Sequence, residues 1–191
     1  MTVLRMRLLP DPILRQQAKK VGKNQSKMKK FTDDMTETMH SQNGVGLAAN
    51  QIGSLQKVAV IQLPEWEEAM VLINPEIVKQ EGEREVEEGC LSIPGYRGMV
   101  KRSVNVRARA IDLDGKVMRI KADELFAQAL EHEIDHLNGI LYIDRLVSPD
   151  SLWKLTHAEE GEEEADEEED SEGDEETSPP AVAPGSGDGG Q

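Results

Sequence analysis

The sequence predicts an α+β domain: helices near the N-terminus, a run of short strands, and one helix towards the C-terminal side, followed by a disordered acidic tail. Three observations predict it. Apolar residues recur at helical spacing in two early stretches and again around residue 130. Between residues 57 and 120 the apolar runs are short or alternate with polar residues. Beyond residue 157 almost nothing apolar remains. The order helix, helix, many strands, helix argues against a repeated βαβ unit and its parallel sheet.

Asp11-Pro12 reads as a helix start, with Asp11 capping and Pro12 at the first helical position. Ile13, Leu14, Ala18 and Val21 form its apolar side. A second helix is expected from about residue 26 to 42, where Met28, Phe31, Met35 and Met39 make a core face. Strand-like runs follow at 57–63, 71–74 and 85–87. Residues 104–110 alternate as a half-buried strand does, and Asp114-Gly115 supplies a hairpin turn into 117–120. The last helix spans about 123–138, with Asp123 as N-cap and Gly139 as its stop.

Beyond His157 lie 15 of the 37 Asp and Glu and no Lys or Arg, which leaves 22 acidic against 22 basic side chains in residues 1–157. The net charge of −15 therefore belongs to the tail, and the folded part is neutral. Such a segment cannot bury enough surface to offset its chain entropy, so residues 158–191 are expected to be disordered and residues 1–157 to form the domain. Cys90 is the single cysteine, which excludes an internal disulfide and suits a reducing compartment. The first residues lack the apolar run of a secretory signal, and no stretch approaches the roughly 20 apolar residues of a membrane span. The expectation is a cytoplasmic protein with no membrane contact.

His132-Glu-Ile-Asp-His136 carries the chemistry. Residues four apart on a helix differ by about 40° in heading, so both imidazoles share a face and can bind one metal ion. Glu133 lies beside them, placed to take a proton from water in metal-assisted hydrolysis. Two satisfied core histidines would give the same pattern. Leu125 and Ala129 fall on the same face, as an apolar floor of a pocket or as ordinary core.

Two ligands hold a metal poorly, and the third is reached by elimination. One class of zinc peptidases places a third His six residues after the second; here that position is Tyr142. His40 ends the second helix and His157 borders the tail, so both read as structural or exposed. An acidic residue or Cys90 remains. A lone thiol is more often a small buried hydrophobe, but an incomplete ligand set favours Cys90, which follows Gly89 in Glu87-Glu-Gly-Cys-Leu-Ser-Ile-Pro94. In Gly44-Val-Gly-Leu-Ala-Ala-Asn-Gln51 the spacing is not that of a phosphate loop. Its small residues either tighten a connection or let a substrate chain reach the backbone, with Gln51 offering an amide donor.

These three segments together, with Leu9-Pro-Asp-Pro-Ile-Leu-Arg15, resemble the peptide deformylase family over about residues 4 to 150. The resemblance implies short antiparallel strands packed around the helix that carries the histidines. It implies Cys90, His132 and His136 as metal ligands, Glu133 as general base, and the Gln51 amide and Leu91 main-chain N–H as oxyanion donors. It also implies that the backbone at Gly46 holds the substrate, and that Leu125 and Ala129 suit the side chain of formyl-methionine. The family's ion is ferrous iron, with zinc, nickel or cobalt tolerated. The substrates implied are N-formylmethionyl nascent peptides met at the ribosome, without direct binding of nucleic acid, whose phosphates the tail would repel. The sequence departs from the family at Glu131, where Gln is usual. Asp135 points off the metal face and is expected to orient a basic side chain, Arg102 being the candidate. The competing readings are a zinc endopeptidase with a carboxylate third ligand, and an interaction protein whose working part is the tail.

Overall fold

A computed structural model describes residues 2–22 and 25–155. His157 and the expected acidic tail lie outside the described residues.

Asp11 caps as expected, its carboxylate accepting from the Ile13 N–H at 3.0 Å, but only a single 3-10 turn follows, Pro12–Arg15. Tertiary main-chain bonds take over from there. The Ala18 N–H donates to the Leu137 carbonyl and the Lys19 N–H to that of Leu55, so the chain runs extended where a helix was expected. The second helix, α1 (Lys29–His40), is preceded by a 3-10 turn at Gln25–Met28. Met28, Met35 and Met39 are buried, as their spacing predicts.

Among the described residues eight strands follow, in two sheets. The first has the order β1 (Gly46–Ala48), β2 (Val58–Ile61), β3 (Met70–Glu81), β6 (Asn105–Ile111), β7 (Val117–Asp123). The second has the order β4 (Arg84–Glu88), β5 (Tyr96–Arg102), β8 (Leu152–Lys154). Every named pair is antiparallel. β3 runs on well past the expected stop at Asn74, because Pro75, which has no N–H, coincides with a register shift between Ile73 and Glu76. Asn74 itself sits at φ 53 and bonds both main-chain groups of Val21 through its side chain. β6 and β7 form the expected hairpin, with Gly115 at φ 82.

β2 explains the layering. All four of its residues are buried; Val58 and Val60 pack with the methionines of α1, while Ile61 packs with the last helix. That helix, α2 (Glu124–Leu137), follows β7 without a loop. Asp123 occupies the N-cap position but makes no capping bond through its side chain. Glu124, at φ 42, is held instead by Arg84, which donates to its carbonyl and carboxylate. Ala127, Leu130 and Ile134 lie on one side of α2 and seal against Leu72, Val106, Ala108 and Ile120 of the larger sheet. Gly139 ends the helix at φ 75; a Cβ there would lie 2.5 Å from the Arg15 carbonyl oxygen. No helix among the described residues is long and apolar enough to cross a membrane.

Leu130 is fully buried between α2 and the sheet. Leu130→Ala is expected to cost about 2–5 kcal/mol, read as a lower midpoint in urea unfolding with an unchanged m-value.

Candidate metal centre

The apolar side of α2 is anchored in the core, and the adjoining side carries His132, Glu133 and His136, so the helix holds them on a rigid support. Cys90 arrives from the other sheet, in the turn just after β4. The ligand-type atoms of Cys90, His132 and His136 all lie within 4.8 Å of one another. The Cys90 Sγ is 3.1 Å from His136 Nε2. These three groups would be able to hold one divalent ion, whose bonds to imidazole and thiolate run to about 2.0–2.3 Å.

Three further features fit a cation here. Burial works against charge on His132, yet its hydrogen bonds with Cys90 and Glu88 outweigh this and hold its pKa well above the ordinary value. Positive charge is thus favoured between those two groups. Burial, reinforced by the charge of His132, pushes His136 well below its ordinary value and keeps it a neutral donor. The buried Glu133 Oε2 finds no hydrogen-bond partner among the described residues, which is uncommon for buried polar atoms.

Glu133 is almost fully buried, and burial raises its pKa to about 7. A carboxyl tuned close to neutrality suits proton transfer. Its carboxylate packs against Gly46, where an added Cβ would stand 2.3 Å from Oε1. Gln51 is also buried; the Ala48 N–H donates to its Oε1 at 2.8 Å, which turns its NH2 towards Cys90 Sγ (3.7 Å) and Ser92 Oγ (3.2 Å). Leu91 follows Cys90 and packs over Gly44. The structure therefore brings Gly46, Gln51, Cys90, Leu91, His132, Glu133 and His136 to one place. Ala129 lies in the main core cluster, while Leu125 is 42% exposed. Tyr142, where a third His would stand in a zinc peptidase, is buried with Leu14, Ile93 and Val100, its ring centroid 6.4 Å from that of His132.

Glu88 escaped the sequence reading. It accepts from His132 Nδ1 at 2.9 Å, while Arg102 Nε and an Arg102 NH2 group bind its two oxygens at 2.7 and 2.9 Å. Burial opposes its charge, but the bonds from His132 and Arg102 prevail and hold its pKa at about 2. Its position at the end of β4, two residues before Cys90, was the available signal. Arg102 also donates to Asp135 at 2.6 Å, the pairing expected from the sequence. Arg145 closes on Asp135 from outside at 2.8 Å.

An α+β domain with His-Glu-x-x-His on its central helix and a nearby thiol has the make-up of a metal-dependent hydrolase. A sequence model of the family described as polypeptide deformylase matches residues 3–151. The chain is 50% identical over 163 residues to the peptide deformylase of Dehalococcoides mccartyi, covering 85% of this chain and 98% of that one. The crystal structure of a peptide deformylase from Legionella pneumophila matches with a TM-score of 0.74 at 37% identity, over 90% of this chain and 99% of the other. That of Thermotoga maritima peptide deformylase also gives 0.74, at 36% identity, over 78% and 100%. The chain belongs to the polypeptide deformylase family.

Glu88→Gln is expected to weaken metal binding by about 10–100-fold, measured by competition with a chelator. The lowered pKa of Glu88 contributes stability that is present above its ordinary value of 4.5 and is lost as pH falls towards about 2. Unfolding free energy of the metal-free protein should accordingly decline less over that interval in Glu88→Gln. For Gly46→Ala, displacement of the Glu133 carboxylate should lower kcat on the order of 10²-fold with metal content unchanged.

Proposed function

We propose that residues 1–157 form a deformylase domain whose Cys90, His132, Glu133 and His136 remove the formyl group from the N-terminus of newly made polypeptides. The observation that carries this reading is the meeting of the Cys90 thiol with both histidines beside a buried, proton-accepting Glu133. Cys90, His132 and His136 would hold one divalent ion, which when bound supplies Lewis acidity that makes water nucleophilic near neutral pH and polarises a carbonyl. Ferrous iron is the proposed native ion, with zinc, nickel and cobalt as substitutes, since all accept imidazole and thiolate.

Glu133 takes a proton from the attacking water as its oxygen bonds to the formyl carbon. The Gln51 amide and the Leu91 N–H donate to the formyl oxygen as negative charge develops on it. Preorganisation supports this role for Gln51, because the Ala48 N–H already fixes the direction of its amide. Glu133 then returns the proton to the peptide nitrogen as the C–N bond breaks, leaving formate and a free amine. The main chain at Gly46 lies beside Glu133 in β1, an edge strand of the five-stranded sheet, and is proposed to pair there with an extended peptide. Leu125 and Ala129 are proposed to face the methionine side chain. The proposed setting is the cytoplasm, with nascent chains at the ribosome as the source of substrate.

The test is formate release from formyl-Met-Ala-Ser by anaerobically purified protein, with metal content measured on the same sample. Glu133→Gln should retain the metal and lose at least about 10²-fold in kcat. Cys90→Ala should lose the metal. Retention of the metal by Cys90→Ala, with no formate release from the wild type, would favour a peptidase with a carboxylate third ligand.

A further inference from the structure

Among the buried carboxylates that the mechanism leaves unused, Glu131 stands next to His132 on α2. It is only 4% exposed. A buried carboxylate needs hydrogen-bond donors for both of its oxygens. Glu131 has three. Its Oε2 accepts from the Ser103 N–H at 2.9 Å; its Oε1 accepts from the Ser103 hydroxyl at 3.0 Å and from the Gln80 amide. Gln80 also donates to the Ser103 hydroxyl at 3.2 Å, which closes the ring of bonds.

The placement of these groups gives the ring its meaning. Ser103 follows Arg102 at the end of β5, where the chain leaves the three-stranded sheet, and β6 of the five-stranded sheet starts at Asn105. Gln80 stands on β3 of the five-stranded sheet. Glu131 stands on α2 beside His132. The ring thus ties the junction of the two sheets to the helix that carries both histidines. The three-stranded sheet delivers Glu88 and, just beyond it, Cys90. Arg102, adjacent to the clamped Ser103, is the group that grips Glu88.

We propose that Glu131 is a positioning residue. It sets the sheet that carries Glu88 and Cys90 against the helix that carries His132 and His136, and so fixes the geometry of the three ligands. The proposal rests on the Cys-His-His reading of the metal centre and not on the identity of the substrate. A polar cavity of about 340 Å³ lined by Gln80, Arg102, Ser103 and Glu131 adjoins the ring and contains none of the three ligands. Glu131 therefore acts through the scaffold and does not touch the ion.

The test uses the full chain loaded with Co2+, compared as wild type, Glu131→Leu and Glu131→Gln. Co2+ affinity is read by chelator competition and ligand geometry by the visible absorption of the bound ion. Glu131→Leu leaves the Ser103 N–H without an acceptor, and should bind Co2+ about 10-fold or more weakly with a shifted spectrum, the size of loss seen when support behind a ligand is removed. Glu131→Gln can still accept from the Ser103 N–H and meet a turned Gln80 amide, so it should remain within about 3-fold of wild type, well under a tenfold step of about 1.4 kcal/mol. If Glu131→Leu fails to fold, Ser103→Ala deletes the two hydroxyl bonds, to Glu131 and from Gln80, while keeping the main-chain bond, and should still shift the spectrum and weaken binding. Wild-type affinity and spectrum in Glu131→Leu, or in Ser103→Ala should the former not fold, would overturn the proposal. So would an equal loss in Glu131→Gln, which would assign the effect to charge. These readings need no substrate. Absence of formate release with intact cobalt responses would refute the deformylase assignment and leave the positioning role standing.

Discussion

Arg102 is the side chain on which the centre depends. Its guanidinium is buried and divided between two carboxylates, Glu88 at the end of the strand that leads to Cys90 and Asp135 inside the histidine motif. Taking three charges out of water is costly, and such groups add little net stability compared with a well-packed apolar core. What they contribute is direction. A planar fork with fixed donors accepts its partners in few orientations. Because Glu88 in turn holds Nδ1 of His132, that geometry reaches the imidazole and leaves its other nitrogen facing Cys90 and His136.

The same economy of space governs the opposite wall. Gly46 brings the main chain against the carboxylate of Glu133, and Ala48 uses its N–H to hold Gln51. Larger side chains in β1 would separate these groups. Small residues there serve close approach of backbone to chemistry, a need that bulk hydrophobicity does not express. Behind both walls, β2 is buried on its two faces between α1 and α2. The site is consequently built on rigid elements and not on mobile loops, which suits chemistry that depends on placement to within a few tenths of an ångström.

The local patterns were legible where one short-range cause dominates. The methionine spacing of α1, the Asp114-Gly115 hairpin and the span of α2 each follow from periodicity or turn chemistry, and the structure reproduces them within a few residues. The expected first helix shortened to one turn because its main-chain groups found partners on Leu137 and Leu55. β5 carries Arg, Gly and Lys among its apolar residues and reads as no strand at all; its pairing with β4 and β8 creates it.

By itself the sequence determined the candidate ligand types, the helical face shared by His132 and His136, the place of Glu133 beside them, and the family to which these segments point. It also marked Arg102 as the partner of Asp135. Only the tertiary structure decided that Cys90 meets His136, that Glu88 supports His132, and that Glu131 clasps Ser103 and Gln80. The physical reason is range. Spacing along a helix fixes which side chains share a face, but contacts such as Glu88 to His132, 44 residues apart, exist only after two sheets and a helix have packed and excluded water from the groups between them.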